Sequence, residues 1–341
     1  MDALAVATTL SAEAARRRDE GLTAMGAGRF ADAARAFADV LDQYPGDLAA
    51  RALLDAALAA VKSSQDRAAV ALSRLAPIRV APPPFGYVLR SPALVAQQGP
   101  PPGLIKISER RNAVTDIEEW LARNGLALPA PKPPNPFRGT PGSLPAGLPT
   151  RYGNALLVKA IVRPDHALLL FGPDFSRARY VAALDYAGGL GEAVGARAVL
   201  DFALFERAPE TLRGDEAFVD QHVDWAELQA GVLYVQTGHS TYARSSHGLN
   251  AFITAVDLGT GDLLWQSQPL VAGAGNFLLR EGYIICGYGF TEEPDFLYVL
   301  DARTGRVASR TPVASGPSLL VEKDGRLFVR TYDTDYVFEI R

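Results

Sequence analysis

The residues able to do chemistry in this 341-residue chain are few: four histidines, one cysteine and some closely spaced carboxylates. A zinc or catalytic site needs His with Cys, Asp or Glu at ligand spacing. The histidines are His166, His222, His239 and His247, and His239-x7-His247 fits no metal-ligand pattern. No Gly-x-Ser-x-Gly elbow occurs, so the usual strand-to-helix serine nucleophile is missing. Gly189-Leu-Gly191-Glu-Ala-Val-Gly195 follows a strand pattern. Neither a helix nor a placed acidic strand end comes after it, so it reads as a turn rather than a dinucleotide loop. Tyr332-Asp333-Thr-Asp335-Tyr336 brings two carboxylates together, but it lacks the Gly and distal Glu of a calcium loop and reads as a hairpin turn. Cys286 is the only cysteine, which excludes an internal disulfide and a Cys-x-x-Cys-His haem site. The expectation is no catalytic group, no metal and no haem.

Polar and aromatic residues gather elsewhere, in four connections between strand-like segments: 172–177, 238–250, 287–294 and 330–335. They read as links between the first and second strand of successive units, so they should project from one face. Candidate binding residues are His239, Tyr242, Arg244, His247, Asn250, Tyr288, Glu292, Tyr332 and Asp333. Tyr, Arg and His are types enriched at recognition surfaces. The same residues also suit solvated hairpin tips with internal hydrogen bonds, and the sequence leaves both readings open. A plain hairpin needs only about two to five loop residues, so 238–250 is longer than its turn requires.

The elements that would position these loops come from a repeated phrase. Ile253-Thr-Ala-Val-Asp257-Leu-Gly-Thr260-Gly261 reappears as Leu297-Tyr-Val-Leu-Asp301-Ala-Arg-Thr304-Gly305, 44 residues later. Each copy is apolar alternation, then Asp, then a Thr-Gly turn. Weaker copies lie at Val181–Gly189 and Tyr336–Glu339, and a preceding strand recurs after Gly231, Gly282 and Gly325. The long interval before Asp257 demands an insertion within 190–230. A strand repeat with a period in the forties predicts a β-propeller or related β array.

These phrases resemble the repeats of PQQ-type quinoprotein propellers, with Leu264-Trp265 after the first close copy and no Trp after the second. The resemblance covers about 150–341 and implies a propeller of about four to five blades, the fifth using strands borrowed from upstream. The quinone enzymes of that family close about eight blades and often carry adjacent paired cysteines, which this chain lacks. No quinone cofactor is expected.

The first 76 residues are Ala-rich with a helical apolar period. Helices are predicted near 11–26, 30–43, 47–61 and 64–75. Gly21, Phe30, Ala33, Phe37 and Pro45 stand at the spacing of a tetratricopeptide repeat, and Gly28–Pro45 resembles its turn and second helix. Arg17 and Ala24 depart from its aromatic positions, and an ordinary α-hairpin bundle is the alternative. Residues 77–149 are Pro-rich, with a short helix predicted at Val114–Asn124. They are a connector or irregular structure packed on the β part. The fold class is therefore α+β multidomain: helical hairpin 1–76, connector 77–149, all-β propeller 150–341.

A net charge of −4 and a pI near 5.7 give no footprint for nucleic acid or an anionic membrane. No apolar run is long enough for a membrane span. The start, Met1-Asp-Ala-Leu, lacks the basic region of a signal peptide, which leaves the compartment open and favours cytoplasm over periplasm. Both resemblances are to repeat surfaces that bind proteins. The functional expectation is a non-catalytic interaction scaffold, with partners on the helical groove and the loop face. An enzyme or small-ligand binder using the loop face or a central channel is the alternative.

Overall fold

The computed structural model describes residues 11–82, 99–131, 133, 144–145, 147–187, 192–206, 211–215 and 218–341. Within them the chain is an α+β protein whose β part makes up most of its length. Residues 189–191 of the Gly189–Gly195 phrase and much of the Pro-rich run before 149 fall outside these residues; the rest of that phrase, 192–195, is the start of a strand and not a turn.

Three helices open the chain: α1 (Ala12–Gly26), α2 (Phe30–Gln43) and α3 (Leu48–Ser73). Ser11 Oγ accepts from Ala14 N at 3.2 Å and starts α1, and Asp47 Oδ1 accepts from Ala49 N and Ala50 N at 3.0 Å and starts α3. Phe37 is fully buried between the helices, in a cluster with Ala24, Ala33, Ala34 and Ala57. A Cβ on Gly21 would sit 2.5 Å from the Phe37 ring, so close helix approach requires glycine there.

The two helices expected at 47–61 and 64–75 are one continuous helix of 26 residues. Lys62-Ser63-Ser64 contains neither Gly nor Pro, and nothing there removes a backbone donor. One end of α3 packs on α2 through Ala50, Leu54 and Ala57, the other on a β-sheet through Ala68 and Leu72.

The strands form four sheets among the described residues. The first takes β1 (Ile78–Arg79), β3 (Arg151–Tyr152), β4 (Ala155–Val162), β5 (His166–Gly172), β6 (Tyr180–Ala187) and β7 (Glu192–Asp201), in the order β1-β7-β6-β5-β4-β3. The second runs β8 (His222–Gln229), β9 (Val232–Gly238), β10 (Phe252–Asp257), β11 (Leu263–Gln266). The third runs β12 (Leu278–Arg280), β13 (Tyr283–Tyr288), β14 (Phe296–Asp301), β15 (Val307–Pro312). The fourth runs β16 (Pro317–Lys323), β17 (Arg326–Thr331), β18 (Thr334–Ile340), and its last strand is β2 (Leu104–Arg111). The Pro-rich segment therefore supplies strands to two sheets: β1 pairs in parallel with β7, and β2 in antiparallel with β18. The prolines bracket these strands instead of interrupting them.

The repeated phrases become repeated turns. Ala230-Gly231, Glu281-Gly282 and Asp324-Gly325 join the first two strands of the last three sheets, and all six residues have positive φ. This is the two-residue hairpin whose twist matches the strands. Asp257 Oδ1 accepts from Gly259 N and Thr260 N at 2.9 Å, and Asp301 Oδ1 accepts from Arg303 N at 2.8 Å. Trp265 Nε1 donates to Ala302 O at 3.1 Å, stapling the second sheet to the third. Its ring lies where a Cβ on Gly305 would be, at 2.4 Å. The third sheet has no Trp at that place, and its outer strand β15 is largely exposed.

The sheets stack in sequence order. Leu168, Leu170 and Val181 of the first sheet share a core with Val235 and Ile253 of the second and Ile284 and Leu300 of the third. Ile285 and Leu297 of the third share another with Leu320, Val329 and Phe338 of the fourth. The outer faces of the array are covered by helices. Leu169, Phe171 and Leu184 of the first sheet pack on Ala68 and Leu72 of α3. Leu319, Val321 and Phe328 of the fourth pack on Trp120 and Leu121 of α4 (Ile117–Arg123). A repeat array with apolar terminal faces requires such caps.

Candidate functional site

The four loops singled out in the sequence lie at one end of the sheets. The structure corrects their place: they join the second and third strands of the later sheets, β9 to β10, β13 to β14 and β17 to β18, because β8, β12 and β16 precede them. In the first sheet the corresponding loop joins β5 to β6.

Neighbouring loops touch. The loop after β5 leads into Ala178, which bridges Val223 at the start of β8, with Val223 N donating to Ala178 O at 2.8 Å. Tyr242 meets Phe290 edge to face at 4.9 Å, and Arg244 lies over the Tyr242 ring at 4.7 Å. Glu293 joins the same two loops, accepting from Ala243 N at 2.8 Å and from the Tyr288 hydroxyl. Gly289 packs against Gly316, and Tyr332 N donates to Gly316 O at 3.2 Å. The result is a continuous surface across four sheets.

The predicted residues divide by burial. Arg244, His247, Glu292, Tyr332 and Asp333 are exposed, Tyr332 at 88%, and Tyr242 is partly exposed. His239, Asn250 and Tyr288 are buried and serve the loop itself. Asn250 Oδ1 accepts from His239 N at 2.8 Å and Asn250 Nδ2 donates to His239 O at 3.3 Å, so the side chain closes the loop base as a strand would. Replacing Asn250 with Ala orphans both backbone groups. A loss of about 1–3 kcal/mol is expected in chemical denaturation, with β9 and β10 still paired. Glu292 points to solvent, and its neighbour Glu293 does the bridging.

His239 and Ser246 look at first like a base and nucleophile, with Nε2 and Oγ 2.7 Å apart. The other contacts decide otherwise. Thr241 N donates to Nδ1 at 3.4 Å, so Nε2 carries the proton and donates to Ser246. The serine hydroxyl in turn donates to Ala243 O at 3.2 Å. Ser246 is fully buried, so the pair is a strut. Burial, and then the charge of nearby His222, push the His239 imidazolium down to about 4. Burial is the strongest single influence on His222 and opposes its charge, but the hydrogen bond from its Nε2 to Asp224 at 3.1 Å, the charge of that carboxylate and the backbone of Asp220 together outweigh it and hold the ring above its ordinary value.

Sequence reading missed a second polar line, where β4, β8 and the segment before β12 meet. Lys159 Nζ donates to Asp224 O at 2.7 Å and Gly275 O at 3.2 Å, and lies 5.1 Å from the Trp225 ring centre. Burial holds its ammonium below the ordinary lysine value, with Asp224 partly offsetting. Arg163 pairs with Glu227, which also accepts from Trp225 Nε1 at 3.0 Å. The one available signal was a lysine inside the apolar run Ala155–Val162. These groups bind one sheet to the next, so they are already paired within the protein.

No protein-family profile matches the sequence, and no curated protein matches it. Among solved structures the chain is similar to BamB from Moraxella catarrhalis, at 15% identity and a TM-score of 0.30, over 54% of this chain and 58% of that one. It is similar to a protein of unknown function from Dyadobacter fermentans, at 14% and 0.34, over 57% and 55%. A europium-containing methanol dehydrogenase aligns at 14% and 0.26, over 48% of this chain and 36% of that one. The matched part is thus little more than half of BamB.

Among the described residues, cavities away from the loop face include two lined by charged side chains from more than one element. One of about 1060 Å³ lies along α1 and α2, lined by Arg16, Arg17, Glu20, Arg35 and Asp39, with the Arg16–Glu20 and Arg17–Asp39 pairs at 2.5 and 3.8 Å. The other, about 700 Å³, lies where the end of α3 meets the first sheet, lined by Tyr152, Asn154, Arg179, Tyr180 and Glu206. Arg179 is held there by Asp201 at 2.7 and 2.9 Å. Among the described residues no group of three or more His, Cys, Asp or Glu is placed to hold a metal, and no helix is long and apolar enough to cross a membrane.

Proposed function

We propose that the protein is a non-catalytic interaction scaffold: a PQQ-like propeller array carrying a tetratricopeptide-like hairpin, without quinone or other cofactor. The observation that carries this reading is the contiguous loop face. Its buried polar side chains are spent on internal hydrogen bonds, while Arg244 and Phe290 stand out to solvent beside Tyr242, and Tyr332 stands out on the loop of the fourth sheet. Partner recognition is assigned to that exposed set, and the α1/α2 groove is the second contact surface. The small-ligand alternative rests on the cavity of about 700 Å³ beside Tyr152 and Arg179, a size that suits a small molecule.

The test is the double change Tyr242→Ala, Arg244→Ala in the full chain. Arg244 is exposed and Tyr242 partly so, so stability should change by less than about 1 kcal/mol. Affinity capture from native lysate should lose the partners that the unaltered chain recovers. Unchanged partners with an intact fold would move recognition to the helical groove. Retained capture combined with ligand-induced thermal shifts that Arg179→Ala abolishes would favour the small-ligand alternative.

A further inference from the structure

We propose that loop 238–250 is a proton-operated latch, closed by neutral His239 and opened when that ring is protonated. The latch itself stands on loop geometry; its use in releasing a partner rests on the scaffold reading above. The ring spans the loop. Its Nδ1 accepts from Thr241 N at 3.4 Å on one side, and its Nε2 proton goes to Ser246 Oγ at 2.7 Å on the other. Ser246 and Ala243 are the ends of the short turn Ala243–Ser246 that presents Arg244 beside Tyr242. A second proton has one place to go, Nδ1, where it would confront the Thr241 N–H. Donor would then face donor in a buried site, and that contact has to break.

The surrounding charges favour opening. Across from His239 lies His222 on β8, whose Nε2 is paired with Asp224, and Arg177 of the loop after β5 lies near His222. Asp220 supports His222 through its backbone. Glu293, on the β13–β14 loop, is committed to Ala243 N and Tyr288. Arg244 and His247 add no negative charge to the loop. Among the described residues no carboxylate bonds the His239 ring.

The direction in pH follows. The folded value near 4 lies below the ordinary 6.5, so the closed loop has its full stability above about 6.5 and loses it as pH falls toward 4. His222 works oppositely, since its raised value favours the fold at low pH and that support fades as pH rises through it. Acid opening therefore belongs to His239.

Hydrogen exchange of the full chain tests this. Corrected for intrinsic rates, protection of the amides of 241–248 should fall about 10- to 100-fold between pH 7 and pH 4.5, while β9 and β10 stay protected. In His239→Gln, which keeps an Nε2 donor and cannot titrate, the fall should vanish. Should that variant open at every pH, nitrogen-15 shifts of His239 in the natural chain decide: the neutral Nε2–H tautomer at pH 6 supports the latch. An imidazolium or Nδ1–H tautomer at pH 6, or equal protection at both pH values, overturns it. A working latch with partner capture unaffected at pH 4.5 would keep the latch and sink loop-face recognition.

Discussion

Expressed alone, residues 150–341 are expected to fail to form a stable monomer, although they contain nearly all the strands. The fourth sheet would lose β2, which pairs with β18 from Thr334 to Ile340, and a seven-residue edge would open. The cap would go as well: Trp120 and Leu121 are both 3% exposed and cover Val321 and Phe328. Truncating one such Trp typically costs about 3–5 kcal/mol, a large fraction of a domain's stability. Arg330 sharpens the effect. Its guanidinium, in a residue 4% exposed, is held by Asp335 at 3.2 Å, donates to Val114 O and lies 5.8 Å from the Trp120 ring centre. Without the strap it keeps only Asp335. At the other end the first sheet would lose α3 and expose Leu169 and Phe171. Circular dichroism and gel filtration of 150–341 beside the full chain check this. A cooperative, monomeric melt close to that of the full chain would mean that strap and caps are dispensable and that the β part carries its own complete core.

Phe37→Ala is expected to have the next largest effect, about 3–5 kcal/mol. The ring is fully buried and occupies the space that Gly21 leaves beside it. The buried residues that share its cluster, Ala24, Ala33, Ala34 and Ala57, are too small to fill the void, and Met25, Leu53 and Leu54 pack on the cluster only from partly exposed positions. Because α3 is continuous from this core to the first sheet, the loss should appear as lowered exchange protection along α1, α2 and the start of α3, while Ala68 and Leu72 remain held by the sheet. Native protection across α1 and α2 in the variant would contradict the burial argument and remove the main support for a tetratricopeptide-like packing.

Much of the candidate face was readable in advance because it is written in short-range chemistry. Loop 238–250 announced itself by length and by residue type, and its contact with the neighbouring loop through Tyr242 and Phe290 follows from two repeats set side by side. The direction of each side chain was not readable. His239 and Asn250 have the composition of a binding site, yet the Asn250 side chain is spent on the backbone of His239, and the His239 ring on Thr241 N and Ser246 of the next turn. Glu292 and Glu293 are indistinguishable as a sequence, and only the position of Ala243 N selects the second.

By itself the sequence determined what nearest neighbours decide. Asp-x-x-Thr-Gly makes its turn because the aspartate bonds amides two and three residues on. Ala-Gly, Glu-Gly and Asp-Gly make hairpins because both residues take positive φ. The apolar alternation between such turns makes strands that must stack. The tertiary structure alone decided what depends on distant partners. Strand β2 exists because β18, more than 200 residues away, offers an edge, and nothing local in a Pro-rich stretch favours it. α3 runs through Ser63 and Ser64 because two cores anchor its ends. Lys159 points into a seam because carbonyls of two other sheets meet there. Local propensity cannot encode such pairings, since their energy appears only after the chain has closed on itself.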